Sequence, residues 1–393
     1  MAARTAGEAM SGPNPKTSRP LPEVALKPDF AEVAERYDAF WHQAIDDRPL
    51  VSMSWRTPEA RATRPNPEAH GLPAVATDPE PTFDEYRQRW TDVKARAARI
   101  ASALADRHYY ADSLPIAWPN MGPEIFSAWC GCPYQFGRDT TWTEPLIHDW
   151  QTDGHLGYLD PEHPLLLKTI EFTDELLRLG AGRFIVGLTD FHPGGDHLAA
   201  LRDPANLALD LIDNPDVIKE RIAVAADEYE SVYNRFYRLI ADAGMPATSW
   251  IGLIHFGSFY IPSNDFSGLI SPAMFEEFFL DGIIRECRFF ERSIYHLDGP
   301  GALCHLDTLL SIPELDAIQW VPGAGNEELE RWIPVYQRIQ AAGKSMQVLH
   351  VTTRNLDLVL DNLRPEGVWI DGVHGVTDEE TAAAVMRRIE RWR

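Results

Sequence analysis

Cysteine is scarce in this chain: Cys130, Cys132, Cys287 and Cys304 are the only four in 393 residues. They are too few for a disulfide framework, which points to a reduced, cytoplasmic protein. Long apolar runs are missing as well, since no stretch reaches the roughly 18 uncharged apolar residues that a membrane-spanning helix needs. Basic charge is the third deficit. Lys and Arg number 36 against 59 Asp and Glu, a formal net charge of −23. A sequence-blind nucleic-acid binder needs the opposite balance to displace phosphate counterions, and so does a protein held on an anionic membrane. Neither partner is expected. No GxGxxG or GxxxxGK[ST] segment occurs either, so the phosphate loop of a doubly wound nucleotide-binding sheet is lacking.

What is present begins with residues 1–30, where Pro13, Pro15, Pro20, Pro22 and Pro28 interrupt a stretch without the apolar core of a signal peptide. This segment reads as a disordered or loosely attached tail. Residues 31–111 read as an N-terminal helical extension. Within it Phe83–Ala105 forms one expected helix, because Tyr86, Trp90, Val93, Ala97, Ile100 and Leu104 recur at helical spacing. From 112 to 393 a single rhythm repeats: a short β-rich run, a polar or Gly/Pro break, then an amphipathic stretch. The expected strands are Leu114–Trp118, Arg183–Thr189, Ser249–Phe256, Ser293–Leu297, Ala317–Val321, Met346–Val351 and Val368–Asp371. Helical patterns alternate with them over Pro164–Gly180, Pro204–Ala243, Pro272–Glu291, Glu327–Ala342 and Asp378–Trp392. Such alternation predicts parallel pairing through right-handed crossovers. Counting one strand missed, the fold class is α/β, a (β/α)8 TIM-type barrel. The aromatic, Gly/Pro-broken segment 128–150 is then a loop insertion over the barrel mouth.

In β/α barrels, chemistry collects at the carboxyl ends of the strands. Those ends carry Trp118 and Asn120; Asp190 and His192; His255, then Asp265; His296 and Asp298; Trp320; His350; and Asp371 with His374. A lone histidine at a strand end is commonly a hydrogen-bonded structural residue, but several at one edge favour a site. His296 and Asp298 stand two apart in a strand and so project to one side. Such a pair can ligate a divalent ion, or the carboxylate can accept the imidazole N–H and tune its basicity. His374 is the expected third ligand, leaving the open position of a catalytic zinc site. Asp190, Asp265 and His350 are the candidate catalytic groups. Trp118, Asn120, His255, Trp320 and Asp371 are the candidate substrate contacts. Among the 12 tryptophans, those at strand ends and in the insertion suit an apolar, aromatic or sugar-ring ligand, or else the packing of a lid.

At these residues the chain resembles a family. "IYHLDG" (Ile294–Gly299) is similar to the His-x-Cys-Gly strand end of the uroporphyrinogen decarboxylase superfamily. The nearest branch is that of the zinc-dependent methyltransferases acting on methylated corrinoid proteins. "DFSGLISPAMFEEFFLDGI" (Asp265–Ile283) resembles that family's segment of an Asp, an "ISP" and a "FEEF" that opens a helix. "LALDLIDNPDVIKERI" (Leu207–Ile222) resembles its "NPe" helix, and "DGVHGVTDEET" (Asp371–Thr381) falls where it carries a Gly-Cys-Gly strand end. The resemblance runs from about Asp190 to the C-terminus, and more loosely over 114–131. It implies a β/α barrel with its pocket at the carboxyl edge.

Two departures shape the functional expectation. True uroporphyrinogen decarboxylases hold their polycarboxylate substrate with an N-terminal Arg-Gln-Ala-Gly-Arg stretch, where this chain has "DDRPLVSMSW" (Asp46–Trp55). Without that clamp a protein of this charge repels such a substrate, so tetrapyrrole decarboxylation is disfavoured. The methyltransferase branch binds zinc with one His and two Cys, and the resemblance places Asp298 and His374 at the two Cys positions. A His/Asp/His set suits Zn²⁺ and, nearly as well, Mn²⁺ or Fe²⁺. The expected function is therefore a metal-dependent methyltransferase acting on a small molecule with a methylated corrinoid carried by a partner protein. A homodimer is compatible with this reading. Two alternatives stand beside it: a metal-free decarboxylase or lyase using His296 with Asp298 as general acid, and a non-catalytic ligand-binding barrel.

Overall fold

The computed structural model describes residues 21–63, 69–73 and 80–392. Its strands are β1 (Leu50–Arg56), β2 (Arg107–Ala111), β3 (Ile116–Ala117), β4 (Tyr134–Phe136), β5 (Thr141–Thr143), β6 (Ile185–Val186), β7 (Phe259–Tyr260), β8 (Arg292–Asp298), β9 (Ala317–Val321), β10 (Ser345–Val348) and β11 (Val368–Asp371). Seven of them form one sheet in the order β2-β1-β11-β10-β9-β8-β7. Every pairing in it is parallel except β1 with β2. β3 and β6 make a separate parallel pair, and β4 and β5 an antiparallel hairpin. The architecture is mixed α/β with a parallel sheet, its crossovers supplied by helices. Among the described residues no helix is long and apolar enough to cross a membrane.

Period-two alternation sorts the strand side chains onto two faces. On one, Val51, Met53, Tyr295, Leu297, Ile318, Trp320, Met346, Val348, Val368 and Ile370 are buried in the apolar layer shared with the helices. On the other, Leu50, Ile294, Ala317 and Trp369 join the second apolar cluster. That second face also carries the polar side chains of Ser52, His296, Asp298, Gln319, Gln347 and Asp371.

Several expected elements differ from those observed, each for a local reason. The Pro164–Gly180 helix has the expected bounds. The long helix over 204–243 is two, Pro204–Asp213 and Pro215–Asp242, because Pro215 lacks the N–H that would continue the first and starts the second. The helix expected over Phe83–Ala105 breaks at Asp92, whose backbone leaves helical geometry (ψ +66°) and whose carboxylate accepts from Ala95 N at 3.2 Å. Ser249–Phe256 is not a strand: it contributes one bridge, Ala247 to His255, and the sheet resumes only at β7. The N-terminal extension is not purely helical, since β1 and β2 belong to the main sheet. β1 alternates Val51, Met53 and Trp55 with Ser52 and Ser54, the pattern of a strand with two different faces.

Buried Asp112 ties the helix Phe30–Trp41 to this sheet. Its carboxylate accepts from Arg36 Nε at 2.8 Å, Arg48 Nη1 at 2.5 Å and Val51 N at 2.9 Å. Within the segment read as a tail, residues 1–20 lie outside the described residues. Beyond them Ala25 and Leu26 donate to the carbonyls of Gly182 and Arg183, and Lys27 Nζ reaches Ala111 O at 2.7 Å.

Candidate functional site

β8 delivers the centre of the site. His296 and Asp298 lie on its polar face, and Gly299 follows at φ +78°, a conformation that lets the chain turn at once into the short helix Gly299–Ala302. Asp265 approaches from the 3-10 segment Asp265–Leu269. Asp265, His296 and Asp298 each bring one ligand-type atom within 4.8 Å of the others. His296 Nε2 lies 3.9 Å from Asp265 Oδ1. The Oδ1 of Asp298 is buried and has no hydrogen-bond partner. A buried carboxylate oxygen left without a donor is costly unless a cation completes it. Burial holds the His296 imidazole below its ordinary range, against the opposing Gln319 bond and Asp298 charge. The ring is therefore neutral near pH 7 and carries a lone pair, as a metal ligand must.

Asp265 also opens onto a cavity of about 430 Å³ lined in part by Glu124, Thr143, His192, Asp196 and Phe266. One wall comes from Pro123, Glu124 and Ser127, which precede the insertion, and from Thr143 and Pro145 within it. His192 is among the lining residues; its Nδ1 is buried without a partner, while its Nε2 meets Asp190 Oδ1 at 2.8 Å. Burial opposes the imidazolium, but the Asp190 carboxylate, with Asp196 and Asp265 behind it, raises the group to about 9. Asp196 and Asp265 are both pushed upward from the usual carboxylate range, by burial first and then by neighbouring negative charge. Asp265 keeps 52% of its side chain exposed, so for it the Asp298 charge is the firmer cause. Carboxylates crowded around Asp265 in this way favour a cation among them.

The other expected residues are distributed as follows. His374 pairs its backbone with Thr352 and is exposed; it lies near His350, whose proton affinity is lowered first by burial and further by His374, against the Glu327 charge. The group that converges on His296 and Asp298 thus contains Asp265 where His374 was expected. Beyond β11 the chain goes on pairing with the residues that follow β10, which holds His374 against Thr352 and Thr353, and β9 and β10 stand between β11 and β8 in the sheet. His350 follows β10 in a left-handed conformation at φ +59°. Trp320 pairs with Leu297, not with His296, and so occupies the helix-covered face, its ring 5.0 Å from that of Trp332. It does not face the site. His255 precedes β7 and lies 3.5 Å from Glu291, just before β8 begins, which puts it at the amino end of the sheet. Asn120 folds back to accept from Gly122 N at 2.7 Å, and Trp118 stands edge-on to His70 at 5.6 Å. Asp371 is linked to His296 through Gln347 and Gln319, and burial raises its carboxyl to about 7.

Four residues near the centre were not singled out from the sequence, Asp196, Trp250, Gln319 and Gln347, and His192 was noted at a strand end without a role. Trp250 packs edge-on against His296 at 4.9 Å. The two glutamines did leave a signal, because a glutamine inside a fully buried strand requires a partner.

The chain thus has a mixed α/β fold with a polar site at the carboxyl end of its parallel strands. No family model matches it, and no curated protein sequence matches it. Among solved structures it is similar to a methyltransferase from Methanosarcina mazei, with a TM-score of 0.53 over 93% of this chain and 98% of that one, at 10% identity. At that identity the likeness establishes the fold, along nearly the whole of both chains.

Proposed function

We propose that this protein is a metal-dependent methyltransferase of uroporphyrinogen decarboxylase-like architecture, its sheets arranged as a β/α barrel. The observation that carries the proposal is the convergence of Asp265, His296 and Asp298, one carboxylate oxygen of which is buried without a donor. These three residues would hold a divalent ion. Two carboxylates and an imidazole suit Mn²⁺ or Fe²⁺ as well as Zn²⁺, and the soft thiolates of the related methyltransferases are replaced by harder donors. The ion's Lewis acidity would promote ionisation of a thiol or hydroxyl acceptor near neutral pH.

The chain's own groups do the rest. The cavity beside Asp265 admits a small acceptor molecule and excludes bulk water on the side closed by the 123–145 segment. His192, held by Asp190 and protonated at neutral pH, offers its free Nδ1–H to an anionic or carbonyl oxygen of that molecule. Neutral His296, fixed on one side by Trp250, keeps its Nε2 lone pair toward the site. The methyl donor in this reading is a corrinoid on a separate protein. The fold shared with a methyltransferase and the "IYHLDG" strand end support it.

The test combines elemental analysis after dialysis against Mn²⁺ or Zn²⁺ with methyl transfer from methylcobalamin to a thiol, followed by visible absorbance. Wild type should retain one ion per chain, and Asp298→Ala and Asp265→Ala should lose it with unchanged circular dichroism. Metal retained by both variants rejects the site. Wild type that retains no ion and transfers no methyl group favours the decarboxylase or lyase reading instead.

A further inference from the structure

Four neighbouring strands carry one polar row between them. His296 on β8 is in register with Gln319 on β9, and Gln319 with Gln347 on β10. Gln347 is in register with Trp369 on β11, and Asp371 follows two residues later on the same face. Their side chains are joined end to end. His296 Nδ1 and Gln319 Oε1 are 2.5 Å apart, Gln319 Nε2 and Gln347 Oε1 2.5 Å, and Gln347 Nε2 and Asp371 Oδ2 2.7 Å. Gln319 and Gln347 are only 3% and 1% exposed, so water does not compete along the row.

A row of this kind has a direction, set by its end. Once ionised, at alkaline pH, the Asp371 carboxylate offers only acceptors, so Gln347 must then turn its NH₂ toward Asp371 and its carbonyl toward Gln319. Gln319 must then give its NH₂ to Gln347, leaving its carbonyl for His296. A carbonyl can only accept, which obliges His296 to carry its proton on Nδ1 and leaves the Nε2 lone pair facing Asp265. We infer that Asp371, three strands and roughly 14 Å from His296 by ordinary strand spacing, is a positioning residue that fixes the His296 tautomer through Gln347 and Gln319. The inference rests on the metal reading only for its purpose, which is to present Nε2 as a ligand; the hydrogen bonding stands without an ion.

The test reads the tautomer directly. Full-length chain labelled with ¹⁵N-histidine, treated with chelator and held at alkaline pH, is studied by two-bond N–H correlation, with His296 assigned from His296→Gln. Wild type should show protonated Nδ1 and bare Nε2. Asp371→Asn, whose amide carbonyl still accepts, should keep that pattern. Asp371→Ala and the near-isosteric Gln347→Met should give a mixture of both tautomers, and their Mn²⁺ affinity should fall by about 10- to 100-fold. Protonated Nε2 in wild type overturns the inference, as does an unchanged single tautomer in either disrupted variant that folds. Correct tautomers in a chain that binds no ion would sink the metal reading and leave the relay standing. Normal ion binding with an unresponsive tautomer would do the reverse.

Discussion

Replacing Glu286 by Gln should stabilise the protein at neutral and alkaline pH and leave it nearly unchanged at acidic pH. Glu286 is 7% exposed, lies in the helix Leu280–Phe289, and its Oε2 has no hydrogen-bond partner. Burial raises its carboxyl to about 8, with His192 pulling the other way and Asp196 and Glu230 adding to the rise. In the unfolded chain a Glu titrates near 4.3. Between those two values the folded state binds more protons than the unfolded one, so this residue makes stability fall as pH rises. The slope is about 1.4 kcal/mol per pH unit and the ceiling over the window about 5 kcal/mol. Water penetration and local relaxation reduce that to on the order of 2–4 kcal/mol at pH 8. A neutral amide of the same shape does not titrate, so Glu286→Gln removes the loss. Urea unfolding of both proteins at pH 5 and pH 8 isolates the effect, because other titrating groups cancel in the double difference. Equal pH dependence in the two proteins would refute the reasoning and mean that the carboxylate is solvated or paired.

Two further predictions concern packing. Asp112→Ala leaves Arg36 and Arg48 facing a buried void and removes the acceptor of Val51 N, so it should cost about 3–5 kcal/mol in chemical unfolding; a loss below about 1 kcal/mol would mean that Asp112 does not anchor the N-terminal helix. Trp320→Ala should cost about 3–5 kcal/mol through the cavity it opens against Trp332. Because Trp320 lies on the face away from His296, Mn²⁺ affinity in that variant should match wild type, and a large loss would contradict the placement.

Much of the architecture was legible because it depends on local pattern. The short β-rich runs at Ala317–Val321 and Val368–Asp371 coincide with β9 and β11, and His163-Pro164 opens a helix whose bounds match the pattern. That His296 and Asp298 share a face follows from strand pleating alone and needs no tertiary information. Element breaks were harder, since Asp92 could continue a helix or cap the next one, and only packing chooses.

What tertiary structure decided is which residues meet. His374 had the right residue type, but the pairing beyond β11 holds it against Thr352, while Asp265 reaches His296 from a loop whose path no spacing rule predicts. Trp320 and His255 were misplaced for two different reasons. One lies on a strand whose register pairs it with Leu297, and the other precedes its strand because Ser249–Phe256 does not pair as one. The row from His296 to Asp371 depends on register across four strands, a property of hydrogen bonding between segments distant in sequence. Sequence alone set the period, the faces and the residue types on each strand; the order and register of the strands, which only the assembled sheet defines, set the distances between them.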